Sequence, residues 1–412
     1  MRILWITNFM MPALAQKLDK DKSVIGGWTY SAAEELKKRT NIELAIACLY
    51  ESNTVKEYVV DGVKYYLMPY KKSKLKYDEL MEQSCLTVKD MFHPEVVHIY
   101  GTEYPLTLAY LNACGSENVV ISIQGIPTIY TRYYFSGMTI WDKLRFPILL
   151  LQHKRFNSNN NIEREALSKC NYFEGRSDWD RAISWSFNPM SKYFFCSRTL
   201  RSIFYSKKWD ISNVNRHTIF LSQAQYPIKG LHQLLKALPF VIRDYPDVKV
   251  RIAGDCPYEK LTIKSFVKSF GYGAYIKSLV KKYKLEKYIV FVGLLNEQEI
   301  CEEYLKANVF VCPSAIENVP NSLAEAQILG TPCIASYVGG NSSLIDEGDN
   351  GLLYRFEEYE MLAYYICKIF SDNDLAMKLS INGRTVALAR HDRNNNIDSL
   401  INIYQYIVAQ QQ

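Results

Sequence analysis

The stretch VFVCPSAIENVPNSLAEAQILGTPCIAS, residues 309–336, limits what this chain can fold into. Residues 309–312 read as a buried apolar strand. A polar loop follows, then a short helix that opens at Asn321 or Ser322 and is closed by Gly330. Pro332 leads into a second apolar strand over 333–336. Strand, helix and strand in this order make one unit of a parallel α/β domain. Ligands of such domains bind beyond the carboxyl ends of the strands. Glu317 falls in the loop and Glu325 is expected in the first turn of the helix. Two carboxylates beside a helix N-terminus, which favours anions, suit a ligand that carries both hydroxyls and phosphates.

A chain of 412 residues exceeds one ordinary hydrophobic core, so two domains are expected. The formal charge of +6 is not gathered on one element, which argues against a nucleic-acid partner. It suits a small anionic ligand or an anionic membrane surface. The ten cysteines sit mostly in apolar runs with no CxxC pair, and read as reduced core residues rather than a disulfide framework or zinc site. No signal peptide and no run of 18 apolar residues is legible, so a cytoplasmic location is expected.

In chain order, residues 3–7 form a first buried strand, and Gly26-Gly27 precedes a helix over 28–39. That pair is either a plain turn with its cap or a backbone that admits a phosphate. Strands are expected at 43–50, 58–60, 63–68 and 96–100, with a basic helix over 71–90 before the last of them. The strand beginning at 119 places Gln124 and Gly125 at its carboxyl end. The aromatic and basic segment 128–156 is either an internal helix packed on its domain or a surface for a membrane or lipid-linked substrate. Arg176, Asp178, Asp180 and Arg181 crowd what reads as one loop around Trp179.

The second domain begins near 206. Lys229-Gly230 precedes a helix over 230–240, where a lysine can neutralise a phosphate. Lys277, Lys281, Lys282 and Lys284 line a helix over 272–283 as a solvated face. Gly339-Gly340 follows the 333–336 strand, and a helix over 342–347 comes next.

ENVPNSLAE over 317–325, the following AQILGTPCIAS and the later Gly-Gly pair together resemble the retaining, nucleotide-sugar-dependent glycosyltransferases of family 4, also called glycosyl transferases group 1. The run GRSDWDRA resembles one in a bacterial polysaccharide-biosynthesis subset. The resemblance implies the GT-B fold, two Rossmann-like domains facing a central cleft. It implies an acceptor-side domain over 1–205, a donor domain over 206–385, and a last helix, 390–410, that packs back on the first domain.

By the same resemblance Glu325 binds the donor's ribose, and Glu317 contacts the donor sugar near the reacting carbon. The backbone of Asn318, Val319, Pro320, Asn321, Ser322 and Leu323 holds sugar and pyrophosphate. Lys229 binds the diphosphate, and Gly26 and Gly27 let the N-terminal loop close. Catalytic positions are Glu317, Lys229 and Gln124. No prosthetic group and no metal are implied. The donor is a UDP- or GDP-linked sugar, the acceptor a glycan or lipid-linked glycan, with association at the cytoplasmic face of the inner membrane.

The sequence departs from the family pattern twice. Gln124 stands where a histidine is usual, and an amide cannot serve as an acid or base near neutrality. Gln223 or Gln225 stands where an arginine is usual, so one phosphate cation is missing, with Arg198 or Arg201 as substitutes. A nucleotide-sugar epimerase of the same shape and an inactive scaffold in polysaccharide assembly are the rival readings. A dinucleotide oxidoreductase is disfavoured because no GxGxxG follows the first strand.

Overall fold

The computed structural model describes residues 1–20, 27–71, 73–74, 76–259 and 271–411. The chain divides into two units. One is Met1–Thr128, Asn157–Arg201 and His391–Gln412; the other is Ile129–Phe156 and Ser202–Arg390.

The first unit is built on an eight-stranded sheet: β1 (Arg2–Thr7), β2 (Glu43–Tyr50), β3 (Lys56–Val60), β4 (Val63–Pro69), β5 (Val96–Tyr100), β6 (Val119–Ser122), β7 (Tyr172–Gly175) and β8 (Lys192–Phe195). Its order is β3-β4-β2-β1-β5-β6-β7-β8, parallel throughout except for the β3–β4 pair. The last helix, Arg393–Ala409, belongs here. Its Ile397, Leu400, Ile403, Tyr404 and Ile407 recur at helical spacing and join the core of Ile3, Trp5 and Ile46. Trp5 Nε1 donates to the Tyr404 hydroxyl at 2.9 Å, and that hydroxyl lies 2.7 Å from His98 Nδ1.

The second unit is an all-parallel six-stranded sheet: β9 (Thr218–Leu221), β10 (Lys249–Ile252), β11 (Ile289–Phe291), β12 (Val309–Cys312), β13 (Cys333–Ser336) and β14 (Leu352–Tyr354). Its order is β11-β10-β9-β12-β13-β14. The central strands β12 and β13, VFVC and CIAS, read as continuous buried runs with both faces covered, whereas β10 interleaves Lys249 and Arg251. On the helix Leu231–Asp244, Leu231, Leu234, Leu235, Leu238 and Val241 are fully buried against Ile219, Val250 and Val311. Each such leucine is worth about 2 kcal/mol relative to exposure. Both sheets have Rossmann-like order, with the strand direction of travel reversing between β1 and β5 and between β9 and β12.

Several elements differ from the sequence expectation. The helix expected over 71–90 is Glu79–Phe92. Asp78 starts it, extended at ψ 132 and accepting from the Leu80 N–H at 3.0 Å, so Lys71, Lys74 and Lys76 are outside the helix. The helix expected over 342–347 is a single 3₁₀ turn, Asn341–Ser343. The segment 129–156, expected inside a domain running over 1–205, clusters with the second unit. The charged run near Trp179 is the start of a helix, Asp178–Phe187, not a loop. Ser177 and Asp180 form its capping box, and Asp180 also accepts from the Arg176 and Ser177 N–H groups and the Tyr193 hydroxyl. That capping accounts for Asp180, while the Arg181–Asp178 pair is an exposed ion pair. Among the described residues no helix is long and apolar enough to cross a membrane, and all ten cysteines are free thiols.

Candidate active site

In the second unit the chain reverses its order between β9 and β12, and the loops that leave these two strands meet there. Lys229 comes from the loop after β9 and Glu317 from the loop after β12. Lys229 Nζ lies 2.6 Å from Glu317 Oε1, with the side chains 17% and 9% exposed. Ser314 Oγ donates to the same carboxylate oxygen at 2.8 Å. Burial works against the lysine's charge, but Glu317, then Tyr226, more than offset it and hold its pKa above the ordinary range. The result is a charged pair at a strand tip, held ready for an anion or a polyol.

The backbone around the pair is packed without slack. Gly230 is left-handed at φ +70°, and a Cβ there would overlap the Pro313 carbonyl. A Cβ on Gly339 would overlap the Glu317 carbonyl, and one on Gly340 the Asn318 carbonyl. The Gly340 N–H donates to the Glu317 carbonyl at 3.1 Å, and the Ala315 N–H to that of Ile228 at 2.8 Å. Both Gly-containing loops therefore clamp the 313–318 loop, which only glycine permits.

The helix Asn321–Leu329 starts at this loop, and its N-cap residue, Pro320, makes no side-chain hydrogen bond to it. Asn318, Val319 and Pro320 are buried; Asn321 and Ser322 are partly open; Leu323 is buried with its N–H bonded to the Pro320 carbonyl at 3.1 Å. Glu325 is the fifth residue of the helix, just past the first turn in which it was expected. It is 8% exposed, with the Tyr304 hydroxyl 3.5 Å from its Oε2 and donating to the Ser322 carbonyl at 3.0 Å. Tyr304 thus braces Glu325 against the helix start.

Tyr130 also reaches this site, and no motif announced it. Its hydroxyl hydrogen-bonds the Asn318 backbone, and burial first, then the Glu317 charge, hold the phenol above its usual pKa. The segment that carries it is tied to this unit: His232 Nε2 pairs with the Ser136 carbonyl at 2.9 Å and Lys236 Nζ donates to that of Gly137 at 2.5 Å.

Residues 204–386 match the family model described as glycosyl transferases group 1. The matched segment falls within the second unit. Spore coat protein SA of Bacillus subtilis (strain 168) is 28% identical over 180 residues, 43% of this chain and 46% of that protein. A D-inositol 3-phosphate glycosyltransferase of Corynebacterium urealyticum is 27% identical over 180 residues, 43% of this chain and 40% of that protein. The chain thus spans under half the length of these curated relatives. Over the full chain the fold is that of sucrose-phosphate synthase from Thermosynechococcus elongatus, with TM-score 0.72, 16% identity and 99% of each chain covered. Anabaena HepE, solved in complex with UDP, gives TM-score 0.66 at 15% identity, covering 98% of this chain and 100% of that one. The fold class is α/β of the GT-B type.

Lys229, Glu317, Asn318 and Glu325 all lie inside the matched segment, and Tyr130 lies outside it. Gly27, Gln124, Arg198 and Arg201 belong to the first unit. Gln124, just past the end of β6, donates to Ser122 Oγ at 3.0 Å. Gly26 lies outside the described residues, and Gly27 opens the helix Gly27–Leu36. Arg198 is buried, with Nη2 3.4 Å from both Ser122 Oγ and the Ile123 carbonyl. Arg198 and Arg201 belong to the first unit, so neither is a cation of the Lys229 loop itself. In that loop Gln223 bonds the Tyr226 hydroxyl at 3.4 Å, and Lys229 Nζ sits 5.7 Å from the Tyr226 ring. The sequence signal that could have found Tyr130 is weak: one tyrosine among several in an aromatic segment.

Proposed function

We propose that the chain is a retaining glycosyltransferase of family 4, moving a hexosyl unit from a nucleoside diphosphate sugar to a hydroxyl of a glycan or lipid-linked glycan. The observation that carries this reading is the Lys229–Glu317 pair at the switch point, beside the start of the helix Asn321–Leu329. A diphosphate at that point would take Lys229 as its counter-charge and the helix start as its backbone cradle. Glu317, released from the lysine, would accept from hydroxyls of the donor sugar. Glu325, steadied by Tyr304, would accept from the ribose hydroxyls.

As the glycosyl–oxygen bond breaks, its electron pair goes to the diphosphate, and Lys229 with the N–H groups stabilises that growing charge. The acceptor oxygen attacks from the same face and gives its proton to a departing phosphate oxygen, which retains configuration without a protein base. Gln124 fits this scheme as a hydrogen-bonding group, since it cannot titrate. The first unit would take the acceptor. UDP is the favoured nucleotide because HepE was solved with UDP and with UDP and glucose. The reaction would take place in the cytoplasm, at the membrane face.

A thermal-shift screen of UDP- and GDP-sugars tests the reading, followed by Glu325→Ala on any stabilising donor. Stabilisation that survives the substitution unchanged would sink the ribose role, and a flat screen with no product from any donor would sink the transferase reading.

A further inference from the structure

The segment 129–156 has two faces. Leu149 is fully buried, and Phe135, Met138 and Phe146 pack on the core of the second unit. Phe146 meets the Tyr275 ring edge-on at 5.9 Å, and Gln152 Oε1 accepts from the Tyr272 N–H at 3.2 Å. The opposite face stays in water. On the helix Ile140–Arg145, Ile140, Trp141 and Leu144 are 68%, 75% and 65% exposed. On the helix Ile148–Phe156, which begins two residues further on, Leu150 and Leu151 are 52% and 66% exposed. Five large apolar side chains on two consecutive short helices are far more than scattered surface hydrophobics.

The charges around them are one-sided. Residues 138–156 hold Lys143, Arg145, Lys154 and Arg155 against a single acid, Asp142. Asp142 is committed to the capping box with Thr139. Lys154 and Arg155 follow Leu150 and Leu151 by one helical turn, so they flank the same stripe. The helix Tyr272–Tyr283 starts against Gln152 and Phe146 and exposes Lys277, Lys281 and Lys282. Lys236 lies within the electrostatic reach of both Asp142 and Lys282, which places that lysine face beside the segment.

From these observations we infer that the exposed face of 140–155 seats the protein on an anionic lipid surface, with Trp141, Leu144, Leu150 and Leu151 in the headgroup region and the cations on its phosphates. A tryptophan and aliphatics ringed by lysine and arginine fit such an interface. A second copy of the chain is the poorer occupant, because a two-fold contact through this face would set its cations against their own images. The inference deepens the membrane-face part of the proposed function and rests on that reading for its purpose. The same segment holds Tyr130 against the Asn318 backbone, so a surface that grips Trp141 lies on the element that also lines the donor site.

The test is co-sedimentation of the full chain with vesicles of phosphatidylcholine alone and of phosphatidylcholine with phosphatidylglycerol, at low and high salt. Binding is expected only to the anionic vesicles, to weaken at least tenfold at high salt, and to fall at least tenfold in the Trp141→Ser/Leu151→Ser variant. Lys154→Glu/Arg155→Glu should lower binding similarly while thermal unfolding and nucleoside diphosphate affinity stay at the wild-type values. Equal binding of wild type and both variants, or no binding to either vesicle, overturns the inference. So does a concentration-dependent dimer that the same variants abolish. Nucleotide affinity is read separately without vesicles, so loss of lipid binding with donor binding intact leaves the transferase reading standing, and the reverse result leaves the lipid surface standing.

Discussion

The two sheets share a Rossmann-like plan, yet their carboxyl ends hold opposite kinds of polar chemistry. At the tip of the second sheet, Lys229 and Glu317 form a charged pair that is partly open to water. At the tip of the first, polar groups are turned inward and engaged with one another. Glu163, buried on the helix Asn160–Lys169, accepts from Thr102 Oγ1 at 2.7 Å and the Thr128 N–H at 2.6 Å, closing two loops together. Glu103 has its Oε2 wholly buried, and its carboxyl is pushed up to about 8, by burial first and by Glu163 among the charges. His98 is pulled down to about 3 by burial and then Arg198, so it stays neutral against Tyr404. Topology puts polar residues at strand tips in both units, but only desolvation and pairing decide which tip keeps its charge available.

That contrast can be broken most forcefully at the charged tip. Glu317→Ala is expected to lower turnover about a hundredfold or more, the scale of losing one preorganised polar partner of a transition state. It should cost about 3 kcal/mol of stability, because Lys229 is left largely buried without its carboxylate. Nucleoside diphosphate affinity, by calorimetric titration, should hold or improve, since the lysine no longer has a competitor. Wild-type turnover in this variant would refute the role given to the pair.

Gly230→Ala attacks the same tip through the backbone. A left-handed φ of +70° and overlap with the Pro313 carbonyl should together cost about 3 kcal/mol, read as a lower denaturant midpoint. An unchanged midpoint would mean that the 313–318 loop is not held as tightly as described.

In the core of the first unit, Tyr404→Phe removes the hydroxyl shared by Trp5 and His98 and should cost about 2 kcal/mol. Donor-nucleotide affinity should not change, because these groups belong to the first unit; a loss of affinity would tie the two units together and weaken the contrast. The remaining effect is in the pH dependence. Folded Glu103 keeps its proton up to about 8, while the unfolded chain releases it near the ordinary 4.5. Its contribution to stability is therefore complete below about 4.5 and is lost as pH rises towards 8. Glu103→Gln should flatten that part of the stability–pH curve, and an identical slope in variant and wild type would remove Glu103 as the cause.

Much of the fold was legible because the buried strands are short unbroken apolar runs. The helix between β12 and β13 is bounded by Pro320 and Gly330, and its ends agree with those signals. Local rules failed where a distant partner decided the outcome. Asp178, Asp180 and Arg181 read as a charged loop although Ser177 and Asp180 stand at capping-box spacing; the distant part is the Tyr193 hydroxyl that Asp180 takes from β8. The segment 129–156 read as part of the first domain because it interrupts that domain's sequence. Its allegiance came from Leu149 and Phe146 finding the second core.

By itself the sequence determined two parallel-sheet domains and the pairing of Glu317 and Glu325 with a helix start, since periodicity, proline and glycine act within a few residues. Tertiary structure alone decided which charges meet and which are silenced. Lys229 and Glu317 are 88 positions apart and bond because β9 and β12 are neighbours at a reversal of strand order. Tyr130 reaches Asn318 because its segment folds onto the second unit. Burial, a property of the whole packed chain, neutralises Glu103 and His98 while the ion pair keeps Lys229 charged.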